Sequence, residues 1–212
     1  MNLVRRGIFL PKFAAAMQDF LEKNKGTYTT EKILDCGDYE IITVMSDKFD
    51  DCKLLFTSGL SKLNQEVDEG HEAYTNIELF FCLPEYWNLD KEPWPLVWLR
   101  KMGDYVVKGN SWVGHGHTIP LSEPFQVADN QFTTDAFFIM RPDYLADQLG
   151  DDFSSEAGFV PLAIVPIYKQ ELDLKIRTSH NLLLKRFEKK AVDERIDIYR
   201  KSSCRKKVFG IF

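Results

Sequence analysis

The stretch PWPLVWLRKMGDYVVKGNSWVGHGHTIP, residues 93–120, holds three of the four tryptophans (Trp94, Trp98, Trp112) and two of the four histidines. Its first half reads as a helix. Pro93 and Pro95 sit in an opening turn, where a missing N–H costs little because no intrahelical acceptor awaits it. Trp94, Val97, Trp98, Met102, Tyr105 and Val106 then recur at three- and four-residue steps and predict one apolar face. Gly109 is a natural stop, and an aromatic segment rich in glycine and histidine follows. A helix carrying this much indole needs a sheet to cover, so the flanking sequence is expected to supply strands.

Upstream, the β-branched run Tyr39–Met45 and the run Cys52–Ser58 read as strands joined by the polar turn Asp47–Asp51. Tyr74–Leu83 alternates for part of its length, with Ile77, Leu79 and Phe81 on one face and Glu78, Phe80 and Cys82 on the other, until Pro84 ends it. Downstream, Thr133–Met140 and Phe159–Ile167 read as buried strands, Pro161 and Pro166 predicting a sheet edge or strand end there. From Tyr168 the pattern turns helical: Glu171, Leu172, Leu174, Lys175 and Ile176 make one helix, and Ser179 caps a second beginning near His180. Near the start of the chain, Phe13, Met17, Phe20 and Leu21 predict an amphipathic helix over residues 11–25, closed by Gly26. The predicted fold is α+β: a mixed, largely antiparallel sheet with helices packed mostly on one side.

Length and composition fit this reading. A chain of 212 residues with 44% hydrophobic and 28% charged side chains is long enough for one full core. No apolar run approaches the roughly 18 residues of a membrane span. The N-terminal apolar run stops at Pro11 and Lys12, too short for a secretory signal. Cys36, Cys52, Cys82 and Cys204 form no CxxC pair and read as reduced thiols, so a cytoplasmic protein without a membrane segment is expected. The net charge of −5 hides a split. Residues 40–92 hold four lysines against twelve acids, a net of −8, and residues 181–212 hold ten basic residues against four acids, a net of +6. That asymmetry marks an acidic patch suited to a basic partner, or else two solvated faces that neutralise each other. The expected organisation is a single domain over residues 1–200 and a basic tail over 201–212, with the last twenty residues loosely held. An acidic chain without an RNA-binding aromatic motif argues against nucleic acid as a partner.

His115-Gly-His117 is the candidate for chemistry. On an extended backbone, residues two apart share a face, so both imidazoles could reach one metal; the competing and favoured reading is structural, with Gly114 and Gly116 letting the backbone turn and the imidazoles bonding backbone carbonyls or rimming a groove. A zinc site needs a third ligand, and only His71, His180, Asp129 or Glu123 are on offer. Ser58-Gly-Leu-Ser61 lacks the flanking glycine pattern of a nucleophile elbow, and no phosphate-binding glycine loop exists. No coherent catalytic set emerges and no cofactor is implied. The chain reads as a non-enzyme, with a metal-dependent hydrolase centred on His115 and His117 as the alternative.

Several of these runs resemble the suppressor of fused domain, in its bacterial single-domain branch. The resemblance rests on Leu55-Phe-Thr-Ser-Gly-Leu-Ser61, on Asn76-Ile-Glu-Leu79 closing at Leu83-Pro84, and on Trp94-Pro-Leu-Val-Trp-Leu-Arg100. It continues through Trp112-x-Gly-x-Gly-His-Thr-Ile-Pro120 and Phe159-Val-Pro-Leu-Ala-Ile-Val-Pro-Ile-Tyr168, then Glu171-Leu172 and Leu182–Leu184, spanning roughly residues 30–200. Trp112, Gly116 and His117 sit on the family pattern. His115 departs from it, and the basic extension after Ile198 lies largely outside.

The resemblance implies binding without catalysis. Animal members grip a short peptide of a transcription factor, which adds a strand, and bacterial members are associated with toxin systems as immunity proteins that neutralise a cognate toxin domain. The expected partner is therefore a protein, either a toxin domain or a regulatory peptide. The expected contacts are the acidic loop (Glu66, Asp68, Glu69, Glu72) with Trp112, His115 and His117, since exposed acids steer a basic partner and tryptophan favours hot spots. Trp112 is otherwise expected in the core against the helix of Trp98. Gly59 and Glu78 are expected to be structural, as a tight turn and a paired strand carboxylate.

Overall fold

The computed structural model describes residues 27–109, 111–127, 132–149 and 158–204. The helix expected over residues 11–25, Asp129 and the chain beyond Cys204 lie outside the described residues. Seven strands form one open sheet in the order β1-β2-β3-β4-β7-β6-β5, and every neighbouring pair is antiparallel except β4 with β7. They are β1 Tyr28–Asp35, β2 Glu40–Ser46, β3 Cys52–Ser58, β4 Ile77–Pro84, β5 Thr118–Val127, β6 Phe132–Met140 and β7 Val160–Ile167. The helices are α1 Trp94–Val107, α2 Tyr144–Leu149, α3 Lys169–Arg177 and α4 His180–Glu188. The fold is thus α+β, as the sequence predicts.

Both faces of the sheet are covered, and the strands show why. Along β4, Phe80 and Cys82 enter the core beneath α2, α3 and α4, with Leu145, Leu172, Leu183 and Phe187 above them. Ile77, Leu79, Phe81 and Leu83 enter the opposite core, under α1. Among the described residues three of the α-helices therefore lie on one face, and α1 lies on the other together with Leu60, Trp87, Ile196 and Ile198. The indole of Trp94 meets Phe81 edge-on at 5.4 Å and Trp87 at 5.7 Å. Trp98 packs on Phe137 at 5.2 Å. The buried arc of α1 runs through Trp94, Leu99, Met102, Gly103 and Val106. Val97 and Tyr105, predicted on that face, are 44% and 39% exposed. Gly103 lets α1 close on the sheet: a Cβ there would lie 2.4 Å from the ring of Tyr39, whose hydroxyl donates to Arg100 O.

The prolines of β7 do not mark an outer edge, for β7 sits inside the sheet. Its first half pairs only with β4 (Val160 to Ala163) and its second only with β6 (Ala163 to Ile167). The Val160 N–H donates toward β4, so by alternation the nitrogen of Pro161 faces the side that β6 has not yet reached. The nitrogen of Pro166 faces the side that β4 has already left. Each half is a local edge, and each proline sits where a donor is not needed.

Two strands escape the periodicity argument. In β1 most side chains are exposed, with Tyr28 packing against one core and Ile33 and Leu34 against the other, so YTTEKILD shows little alternation. In β5, Pro120 and Pro124 obscure a strand that bulges between Pro120 and Phe125. The expectation of loosely held final residues also fails as far as Cys204. Glu194 is buried and accepts from the N–H groups of Asp143, Tyr144 and Leu145, while Ile196 N donates to Cys82 O. Arg200 enters a bidentate pair with buried Glu171 at 2.8 and 2.9 Å, and Ser203 N donates to the same carboxylate at 2.7 Å. Ser202 and Ser203, assigned to the tail from sequence, are buried.

Candidate functional site

The acidic loop between β3 and β4 is built, not merely tethered. Gly59 turns the chain at φ +103, a value that favours glycine. The carboxylate of Glu78, 1% exposed, then accepts from Thr57 Oγ1 at 2.6 Å, Gly59 N at 2.9 Å, Ser61 N at 3.1 Å and Ser61 Oγ at 2.9 Å. Burial raises its pKa above the ordinary carboxyl value, against those hydrogen bonds. The structural roles expected of Gly59 and Glu78 are met. Further on, buried Gln65 clips the loop to the glycine–histidine segment. Its amide donates to Tyr74 O and Val113 O, and its oxygen accepts from Val113 N.

Trp112 stands at that junction. Its indole N–H donates to Asp68 at 3.0 Å, and its ring lies 4.8 Å from His71, 6.0 Å from Tyr74 and 4.2 Å from His117. It is half-buried against the acidic loop, so the core placement beside Trp98 is not what the chain adopts. Glu66, Asp68, Glu69 and Glu72, on the loop that Asp68 ties to it, are all exposed. On the other side of Trp112 opens a groove of about 540 Å³ between α1 and the start of β5. Trp98, Met102, Tyr105, Trp112 and His117 line it, with Lys101 and Lys175. Among the described residues that lining includes no carboxylate. Lys101 Nζ sits 4.3 Å over the Trp98 ring, and Lys175 Nζ donates to Thr118 Oγ1 at 3.3 Å.

The two histidines do not share a face. His115 and Gly116 form a turn closed by His117 N donating to Gly114 O at 3.1 Å, and Gly116 adopts φ +86. A Cβ on Gly116 would lie 2.8 Å from the His180 ring, and one on Gly114 would lie 2.4 Å from Trp112, so both positions exclude a side chain. Past the turn, His117 enters the groove beside Trp112. His115 lies in a different cleft, where Nδ1 accepts from Arg141 N at 2.9 Å and the ring meets His180 at 5.6 Å. Burial lowers the pKa of each imidazole, reinforced by His180 and Arg141 at His115 and by Lys175 at His117. A metal shared by the two histidines would need an extended backbone, and the structure adopts the alternative in which the glycines let the chain turn. Among the described residues no three His, Cys, Asp or Glu side chains gather as a metal-holding group.

The structure therefore joins Asp68, Trp112 and His117, leaves Glu66, Glu69 and Glu72 exposed on the loop that carries Asp68, and sets His115 apart. Sequence reasoning missed Gln65, Lys101, Tyr105 and Lys175 as parts of this surface. Lys101, three residues after Trp98, carried a helical-spacing signal. Lys175 carried none, because it arrives from α3. Among the described residues no helix is long and apolar enough to cross a membrane.

Comparison with known proteins places this arrangement. The family model described as suppressor of fused protein (SUFU) matches residues 37–201. A solved suppressor of fused homologue from Neisseria gonorrhoeae superposes with a TM-score of 0.62 at 14% identity, covering 92% of this chain and 96% of that one. The structure of a Sufu-Fu complex matches with a TM-score of 0.57 at 14% identity, covering 91% and 92%. At that identity the two structures bear on the fold. No curated protein matches in sequence.

Proposed function

Because this chain belongs to the suppressor of fused family, we propose that it acts by binding another protein, through the acidic loop, Trp112 and the adjoining groove. The observation that carries this reading is the position of Trp112: an aromatic side chain that bonds Asp68 of the exposed acidic loop and also lines the groove beside Trp98, Met102 and Tyr105. Tryptophan in such a place supplies large buried area at small entropic cost once covered. The exposed acids accelerate encounter with a basic partner and fix its orientation. The complex of Sufu with Fu supports a protein as the kind of ligand. His115 drops out of the contact set, and His117 stays in it. No catalytic role is assigned, and the hydrolase alternative has lost its geometry.

The finer reading is that of a cytoplasmic immunity protein that neutralises a basic toxin domain, as the resemblance to the bacterial branch implies. The full chain used as bait in its native cells tests it. One stoichiometric partner that stops growth when expressed alone, and is silenced by co-expression, supports immunity. A partner harmless to the cell removes immunity and leaves protein binding standing. With the partner in hand, Trp112→Ala is expected to weaken affinity by about 30-fold, the scale of a hot-spot residue. Reversing Glu66 and Glu69 to lysine is expected to slow association by about tenfold at low salt and by much less at high salt. Unchanged kinetics in both variants would remove this surface from the reading.

A further inference from the structure

Resting on the reading that this surface binds a protein, we infer that the groove between α1 and β5 seats an anionic anchor of that partner: a segment in which an aspartate or glutamate lies beside a large apolar side chain. The partner then meets Trp112 with opposite charges on its two sides, basic residues toward the acidic loop and a carboxylate in the groove. The walls define the apolar half of the anchor. Trp98, Tyr105, Trp112 and His117 line the recess, whose volume of about 540 Å³ is that of a site enclosing a small ligand or a few side chains of a peptide. Tyr105 is 39% exposed and both indoles are half-buried, so aromatic surface there still meets water.

Lys101 and Lys175 define the charged half. They arrive from different elements, α1 and α3, and both line the groove, where among the described residues no carboxylate does. Among the described residues neither ammonium has a carboxylate within salt-bridge reach, unlike Lys32 and Lys169. The acids nearest to them in sequence are engaged elsewhere, Asp104 with Arg100 and Asp173 with Lys169 and Arg177. Lys101 instead lies 4.3 Å over the Trp98 ring, and Lys175 donates to the Thr118 hydroxyl at 3.3 Å. Those contacts orient the two ammonium groups without neutralising them. His117 adds no charge at neutral pH, because burial and then Lys175 push its pKa below the ordinary value.

Two unpaired cations beside aromatic walls favour a carboxylate over a neutral or basic side chain. The anion exchanges water for charge-assisted hydrogen bonds, and the indoles cover the apolar group next to it. A basic segment in the groove would meet like charge, as an acidic one would at the loop. The pair of opposite surfaces therefore also rejects a partner docked the wrong way round.

The test pans a random peptide library displayed on phage against the full chain, then titrates the enriched sequence as a free peptide, read by the fluorescence of the groove tryptophans. The expected result is an aspartate or glutamate next to an aromatic or large aliphatic residue, with affinity that falls as salt rises. Replacing that acid by its amide is expected to weaken binding by about tenfold, the scale of one charged hydrogen bond. Lys101→Met and Lys175→Met, which keep the aliphatic stems, are each expected to weaken it by about the same factor. The loop variant Glu66→Lys with Glu69→Lys is expected to bind the peptide no less tightly. Enrichment of basic or uncharged sequences, no enrichment, or an affinity unmoved by both lysine variants overturns the anionic anchor. Free indole-3-acetate binding as tightly as the peptide makes the groove a small-molecule site and overturns it equally. A protein partner weakened by Trp112→Ala and by the loop variant, but by neither lysine variant, removes the anchor and leaves protein binding through this surface standing.

Discussion

Glu78 and Glu171 are both sealed from solvent, at 1% and 0% exposure, and each anchors an irregular segment of chain. Their cradles differ. Glu78 holds the start of the acidic loop with two backbone N–H groups and two hydroxyls, all neutral. Glu171 holds the C-terminal segment with both terminal nitrogens of Arg200 and with the N–H groups of Tyr168 and Ser203. Arg200 is itself pinned, donating to Pro166 O at 2.7 Å and lying 4.9 Å over both Phe132 and Tyr168. The difference separates display from closure. A neutral cradle fixes the base of the loop and leaves its own acids facing water. A charge pair draws the final segment into the core, where it finishes the fold.

The same conservative substitution is expected to divide the two sites. In Glu171→Gln the new amide would point N–H groups at donors, since both carboxylate oxygens accept from Arg200 and each accepts one backbone N–H as well. A buried guanidinium would lose its countercharge, which costs about 3–5 kcal/mol in comparable pairs. Urea unfolding of the full chain reads this as a lower midpoint with an unchanged slope. Loss below about 1 kcal/mol would mean that Arg200 is held by its stacking and by Pro166 O alone.

Acid titration sharpens the contrast, because the two carboxyls move in opposite directions. Burial alone would push Glu171 up, but Arg200 and the backbone donors hold it below the ordinary carboxyl value. Its contribution is present above the unfolded-state pKa and is lost as pH falls through the folded one. Glu78 is raised by burial, so its contribution is full below the unfolded-state pKa and is lost as pH rises through the folded one. The stability gap between the native chain and Glu171→Gln should therefore shrink toward acid pH. The gap between the native chain and Glu78→Gln should shift in favour of the variant as pH rises past the usual carboxyl range. Parallel profiles for the two variants would contradict these opposite shifts.

How far the sequence could be read follows from the range of each signal. Local periodicity located α1, β2, β3, β4, β6, β7 and both final helices, and Ser179 does accept from Leu182 N as a cap should. Strands that bury few side chains, such as β1, leave no such trace. The anchors were invisible for another reason: Glu171 meets Arg200 across 29 residues and Glu194 reaches Leu145 across 49, separations at which spacing carries no information. At the candidate surface, the acidic loop and Trp112 were legible as residue types, but Gln65, which joins them, looked like any polar loop residue. The histidine pair was open to two readings, a shared face on extended backbone or a turn at Gly114 and Gly116, and one dihedral decides for the turn. Two-residue spacing predicts a shared face only for extended backbone, and Gly116 at φ +86 is not extended.

The smallest expected effect is at Glu78. In Glu78→Gln the side-chain oxygen can still accept from Gly59 N, Ser61 N and Ser61 Oγ, because all three converge on one carboxylate oxygen. The new amide would face Thr57 Oγ1 alone, and that hydroxyl can turn its hydrogen to Leu79 O, 3.3 Å away, and accept instead. The existing partners are then satisfied and a buried charge is removed, but one amide N–H is left without an acceptor, so stability near neutral pH should fall by about 1–2 kcal/mol, still less than at Glu171. Because the base of the loop is unmoved, Trp112 should keep its bond to Asp68, and its fluorescence maximum should not shift. A large loss at Glu78 would show that the charge itself, and not its hydrogen-bonding pattern, orders the loop. The two carboxylates would then be doing the same job by the same means, and the distinction between a displayed loop and a closed C-terminal segment would have to rest on exposure alone.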